Sequence, residues 1–219
     1  VSSASGDGGI AYIFSEDRTD FIGSIDASGN GAINSGGFVE ISSHKVVNIT
    51  GEVNGGLGGT FIIDPETIKI NSSGSGSDLN TSFIRAGLIT EALTAGTNVT
   101  IWTQSSVTGR SSGYSANSPH QEGDIIIASA LEYSGSGNLT MLAMGDIFVQ
   151  SSILNSHASA GDITLIAGWD GTTGLPAASG NLLTQASAFS LTAFKSATLS
   201  NTTVFGNTTY GGNIHIGNF

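Results

Sequence analysis

Along most of the chain the apolar residues recur at every second position, in short bursts. Ile163, Leu165 and Ala167 follow this rule, as do Leu139, Met141 and Ala143. A period of two puts one face of an extended segment inside and the other outside, so these bursts predict β-strands. Several begin alike, with Gly, then Asp or Asn, then an aliphatic. They read Gly123-Asp124-Ile125, Gly137-Asn138-Leu139, Gly145-Asp146-Ile147, Gly161-Asp162-Ile163, Gly180-Asn181-Leu182 and Gly212-Asn213-Ile214. Gly96-Thr97-Asn98-Val99 is a looser copy. The glycine is expected to supply the backbone angles of a corner, and the Asp or Asn to bond its neighbouring backbone and fix the turn.

The starts are irregularly spaced, which argues against even hairpins and for stacked parallel strands joined by variable loops. The expected fold is all-β: a single-stranded right-handed parallel β-helix (β-solenoid) with loop excursions and at most one short helix. Coils of roughly 20–25 residues would give about nine or ten of them, on the order of 45 Å of rod. Residues 1–219 read as one continuous segment of a longer chain, with residues 71–96 as an excursion of loop and short helix. Asn71 to Asp78 is a flexible polar loop by composition. Leu88, Glu91, Ala92 and Leu93 then have helical spacing, and Gly96 is placed to end the helix. Further excursions run from Gly109 to Glu122 and from Trp169 to Pro176.

Charge sharpens the picture by exclusion. Six basic residues against 17 acidic ones give a net charge of −11, and only 11% of the chain is charged. So few cations cannot build a phosphate-neutralising stripe, and no nucleic-acid partner is expected. The 32 glycines lack a three-residue period and prolines number three, so collagen is excluded. Zero cysteines exclude a disulfide scaffold and thiolate metal sites. No apolar run approaches the ~18 residues of a membrane helix, so the chain is not expected to span a membrane.

The N-terminal third carries more particular words. Phe21-Ile22-Gly23-Ser24-Ile25-Asp26-Ala27 leads to Ser35-Gly36-Gly37-Phe38-Val39-Glu40-Ile41-Ser42-Ser43. Then come Val47-Asn48-Ile49-Thr50-Gly51, Gly58-Gly59-Thr60-Phe61-Ile62-Ile63-Asp64-Pro65 and Ile68-Lys69-Ile70, and later Ala95-Gly96-Thr97-Asn98-Val99-Thr100-Ile101. This block resembles the filamentous-haemagglutinin-like exoproteins, the large adhesins of bacterial two-partner secretion. The motif-bearing match covers roughly Gly8 to Thr103. The resemblance implies a right-handed β-helix, export through an outer-membrane secretion pore, and a secreted or cell-surface location. It implies an adhesive role in which loops contact a host-cell or bacterial receptor, a glycan or matrix. Asn-x-Ser/Thr triplets make Asn48, Asn98 and Asn138 candidate glycosylation positions on the same resemblance.

Trp169, Tyr114 and Asp170 are the candidate contact residues, with the two aromatics expected to be exposed on their loops. Other right-handed β-helices cleave polysaccharides, so a carbohydrate-active enzyme of lyase or glycosidase type is the alternative; an inert stalk of a toxin-delivery exoprotein is another. An enzyme would need two or three carboxylates converging on one face. Glu16, Asp17 and Asp20, with Arg18 among them, read as a solvated loop. Asp124, Asp146 and Asp162 hold equivalent repeat positions and read as a turn-forming ladder. No cofactor is expected, beyond weak calcium binding at such a ladder. Asp64-Pro65 reads as a strand exit, because proline blocks further pairing. The four histidines are scattered, without metal-ligand spacing. Thus no catalytic residue and no metal ligand is expected.

Overall fold

The computed structural model describes residues 6–30, 35–104 and 123–169, and the backbone of 182–184, 202–207 and 214–216. The strands come in threes. β1 (Ile10–Ser15), β2 (Arg18–Phe21) and β3 (Ser24–Asp26) are followed by β4 (Phe38–Ser43), β5 (Val46–Ile49) and β6 (Glu52–Asn54). The third unit is longer, with β7 (Thr60–Asp64), β8 (Ile68–Asn71), β9 (Ser82–Arg85) and the helix α1 (Ala86–Thr94). Two regular units follow: β10 (Asn98–Trp102), β11 (Ile125–Ile127) and β12 (Leu131–Tyr133), then β13 (Leu139–Ala143), β14 (Ile147–Val149) and β15 (Ile153–Asn155). β16 (Ile163–Ala167), β17 (Leu182–Thr184), β18 (Thr202–Asn207) and β19 (Ile214–Ile216) complete the described strands.

The two large sheets run across the units, the third unit giving both β8 and β9 to the second sheet. The main sheet runs β1-β4-β7-β10-β13-β16-β18-β17, and the second β19-β14-β11-β8-β9-β5-β2. All described pairings are parallel except β17 on β18. The chain is therefore mostly β, in parallel sheets, with one helix among the described residues. The main sheet has 8 strands, fewer than the nine or ten levels expected, because long excursions lengthen the units. The Gly180-Asn181-Leu182 start also differs from expectation, since its strand β17 runs antiparallel.

Alternation along each strand becomes stacking across strands. Val39, Phe61, Val99, Leu139 and Ile163 face one another in register, and so do Ile41, Ile63, Ile101, Met141 and Leu165. On the second sheet Ile49, Ile84, Ile70, Ile127 and Val149 make a third ladder. All of these side chains are fully buried in one core. Strands about 4.8 Å apart keep each aliphatic in contact with the one above and below it.

The helix forms where its sequence has helical spacing. Ala86, Leu88, Ile89, Ala92 and Leu93 share the buried face, and Gly96 (φ +83°) ends it with its N–H bonded to the Leu93 carbonyl. α1 takes the place of a third-side strand, between β6 and β12. A helix spends its backbone hydrogen bonds internally, so the short strands on either side of it form two separate pairs, β3–β6 and β12–β15. β9 is a second irregularity. It inserts between β5 and β8, where the buried Ser82 hydroxyl accepts the Val47 N–H at 2.9 Å.

The repeated Gly-Asp/Asn starts work differently from the expected corner. Among the described copies Gly123 (φ +88°) and, in the looser copy, Gly96 (φ +83°) have a left-handed backbone, while Gly137, Gly145 and Gly161 do not. Gly137 and Gly161 are required by closeness: a Cβ on Gly161 would lie 2.2 Å from the Gly137 carbonyl oxygen. The Asp and Asn side chains reach the next unit instead of their own turn. Asn98 Oδ1 accepts the Asn138 N–H (3.0 Å), and Asn138 Oδ1 accepts the Asp162 N–H (2.8 Å). Asp124 Oδ1 likewise accepts the Asp146 N–H (2.9 Å) on the second sheet. The three aspartates therefore do not form one ladder, because Asp162 belongs to the asparagine column of the main sheet.

Candidate functional site

The outer face of the main sheet is a grid built by the strand register. One column runs Phe14, Ser42, Asp64, and continues with Trp102, Leu142 and Ile166; the next runs Tyr12, Glu40, Ile62, Thr100, Thr140, Thr164. The two ends differ. Trp102, Met144, Leu142, Ile166 and Trp169 pack into a second apolar cluster, with the indoles 5.8 Å apart. At the other end Ile10, Tyr12 and Phe14 are 65%, 68% and 56% exposed. Tyr12 lies 5.2 Å from Phe38 at 45°, and Phe14 meets His44 edge-on at 5.1 Å. Glu40 stands between these rings, directly opposite Tyr12, and its Oε1 accepts the Ser42 hydroxyl at 2.9 Å.

Asp64 marks the boundary between the two halves. It ends β7 as the Asp-Pro motif predicts, yet it is more than a strand exit. Gln104 Nε2 donates to Oδ2 at 2.8 Å, while Oδ1 is buried without a hydrogen bond. Burial pushes its carboxyl up to about 6; the Trp102 N–H and Gln104 oppose this, and the Glu40 charge adds to it. The Trp102 N–H stands beside the carboxylate but does not meet it in bonding geometry, and it too is buried without a partner.

That shift makes a pH prediction. The folded state holds the Asp64 proton more tightly than the unfolded chain, whose value is near 3.8. The contribution to stability is thus full below pH 3.8 and falls as pH rises to about 6. Asp64→Asn, which keeps an acceptor for Gln104, is expected to raise stability at about pH 7.5 and leave it unchanged near pH 4. At about 1.4 kcal/mol per pH unit the ceiling is about 3 kcal/mol, and partial solvent contact brings it to about 1–2. Urea titrations at both pH values check this; equal gains at the two would refute burial of charge as the cause.

A second feature is a polar cleft of about 740 Å³ beside the Asn71–Asp78 loop. It is lined by Asp17, Arg18, Lys45, Glu66, Asp78 and Thr81 among others, with Leu79 exposed at its lip. Within the loop the polar side chains bond locally. Asn71 Oδ1 accepts the Ser73 and Gly74 N–H groups, Asn71 Nδ2 donates to the Ser75 carbonyl, and Gly74 adopts φ +67°. The Glu16–Asp20 acids are likewise paired: Asp17 with Lys45 (2.6 Å), Asp20 with Arg18 (2.8 Å), and Glu16 with His44 (3.6 Å). Hydrogen bonds and the facing cations hold the Asp17 and Asp20 carboxyls below the usual range.

Of the residues singled out from sequence, Trp169 is placed against expectation. It is 9% exposed, buried in the cluster with Trp102 instead of displayed on a loop. Tyr114 and Asp170 lie outside the described residues, as do the Gly109–Glu122 loop and most of Trp169–Pro176. Asn138 is exposed, and Asn98 is half-buried. Asn48 is engaged at both ends of its amide, donating to Asp20 Oδ1 and accepting the Phe83 N–H. Among the described residues no group of three or more His, Asp or Glu is arranged to hold a metal ion. Also among them, no helix is long and apolar enough to cross a membrane. The exposed aromatic strip around Glu40 was missed. The alternation of Ile10, Tyr12 and Phe14 was the available signal, but its outward face had no composition to mark it. Compared with protein-family models, curated proteins and solved structures, the chain finds no match in any of the three.

Proposed function

We propose that the chain is a right-handed single-stranded β-helix serving as an adhesive rod segment of a secreted or surface exoprotein, like the filamentous-haemagglutinin-type adhesins exported through an outer-membrane pore. The observation that carries this reading is the in-register stacking of strands from successive units, with a continuous apolar ladder inside and functional variety confined to the outside. Such a stack transmits position without moving parts, so its work is presentation. The exposed aromatic strip and the cleft by the Asn71–Asp78 loop are the two surfaces it presents. Contact with a cell-surface receptor, glycan or matrix would use one of them.

The test is saturation binding of the purified 219-residue chain to animal cells and an immobilised glycan panel. Saturable binding to at least one surface is expected; flat background across the whole panel would leave the segment a rod with no adhesive work. Leu79→Ser at the cleft lip and Tyr12→Ala on the strip, measured side by side, assign the contact to one surface.

A hydrolytic reading has one observation behind it. Glu40 and Asp64 share the outer face on adjacent strands, and Asp64 keeps its proton to about pH 6, as a general acid must. Release of reducing ends from polysaccharides, lost in Asp64→Asn, would favour it over adhesion.

A further inference from the structure

We propose that the outer face of β1 and β4 is a subsite for the amino groups of a polysaccharide, each amine held over the Tyr12 and Phe38 rings against the Glu40 carboxylate. The proposal rests on the adhesive reading and names the class of glycan it takes. Three observations converge on it. First, three large apolar side chains on one strand face, all more than half exposed, are a concentration that a soluble surface rarely carries without use. Second, the rings are not packed flat together. Tyr12 and Phe38 meet at 45° with centroids 5.2 Å apart, and with Tyr12 68% exposed its ring is open to a cation drawn by the ring quadrupole. Third, Glu40 sits directly opposite Tyr12 and two residues along from Phe38 on the same face. Ser42 holds only one of its oxygens among the described residues.

Charge selects the occupant. The described outward positions of β1, β4, β7 and β10 carry the carboxylates of Glu40 and Asp64 and no Lys or Arg. The whole chain carries −11, so an acidic glycan is repelled and an amine-bearing one attracted. A sugar ring also offers an apolar C–H face to an aromatic side chain and hydroxyls to the acceptors beside it. Thr60 and the Asn98 amide nitrogen, both half-buried on the neighbouring column, supply polar partners. Exposed rings on a flat strand face and an unblocked carboxylate thus suit a linear polymer of amino sugars better than a buried small molecule.

The experiment is co-sedimentation of the full 219-residue chain with partly deacetylated chitosan, fully acetylated chitin and cellulose, in about 0.15 M and about 0.5 M salt. Saturable binding to chitosan is expected, about tenfold tighter than to the other two, and persisting at the higher salt because the contact includes stacking. Tyr12→Ala and Glu40→Gln are each expected to weaken it about tenfold. Glu132→Gln on β12, an equal change of charge on another side of the stack, should leave it unchanged. Loss of binding in all three variants, or complete loss at high salt, would mean diffuse charge attraction and overturn the proposal. So would equal retention on polylysine, which carries amines without sugar. Binding to cellulose or chitin that ignores Tyr12 and Glu40 would overturn the amine subsite yet leave the adhesive reading standing. Binding to no polysaccharide sinks the subsite, and the cell panel then decides adhesion separately.

Discussion

Gly37→Ala is expected to destabilise the fold by at least about 3 kcal/mol, the upper end of what overpacking costs. A Cβ there would lie 2.2 Å from both the Ala27 and Gly9 carbonyl oxygens and 2.9 Å from the Gly9 nitrogen. These are backbone atoms, so no rotamer change relieves them. They are also tied. Gly9 N–H bonds the Ala27 carbonyl, Gly37 N–H the Gly55 carbonyl, and Thr60 N–H the Gly37 carbonyl. Moving any one strains bonds on two levels of the stack. The control is Gly23→Ala, whose Cβ would meet only the Phe21 ring, at 3.8 and 3.9 Å. It should be neutral or gain a few tenths of a kcal/mol, by limiting the unfolded chain. Urea unfolding of both variants is the measurement; similar midpoints would show that the glycine column is not held by closeness.

The second large effect concerns the apolar ladder. Ile63→Ala should cost about 3–5 kcal/mol, the upper range for an aliphatic truncated in a core. Ile63 is fully buried between Ile41 and Ile101 in register. The strand spacing is fixed by hydrogen bonds, so its neighbours cannot close over the void. Ile62→Ala, one residue away on the half-buried outer face, should cost about 1 kcal/mol. A ratio near one between the two, from paired chemical denaturation, would mean that the interior ladder is not the main source of cohesion.

Much of this architecture was legible in the chain because it depends on a period of two. Ile125–Ile127, Leu139–Ala143, Ile147–Val149 and Ile163–Ala167 all form strands after their Gly-Asp/Asn starts, and α1 lies where Leu88, Ala92 and Leu93 have helical spacing. Which strand lies beside which was less legible. Ser82, Phe83 and Ile84 are all buried, so β9 carries no alternation to reveal that it inserts between β5 and β8. Local grammar also misassigned the Asp and Asn side chains to their own turns, because the acceptor they provide serves a residue 22 to 40 positions away. Trp169 lies against expectation for a related reason, and the burial of Asp64 at its strand end was equally invisible. A loop tryptophan and a strand-end aspartate look exposed until Trp102, on another unit, covers them both.

The helix that divides the third side has a mechanical corollary. The two large sheets are laced by strand-to-strand hydrogen bonds, whereas β6 and β12 meet through packing on α1, with only isolated hydrogen bonds such as Arg85 Nη2 to the Gly51 carbonyl and the Gly137 N–H to the Leu93 carbonyl. Resistance to load is then unequal between the sheets and the helical region. Flexing that opens the helical side strains soft dispersion contacts, while flexing the other way must stretch backbone hydrogen bonds. A pull across the helix is therefore expected to part β6 from β12 before either large sheet opens.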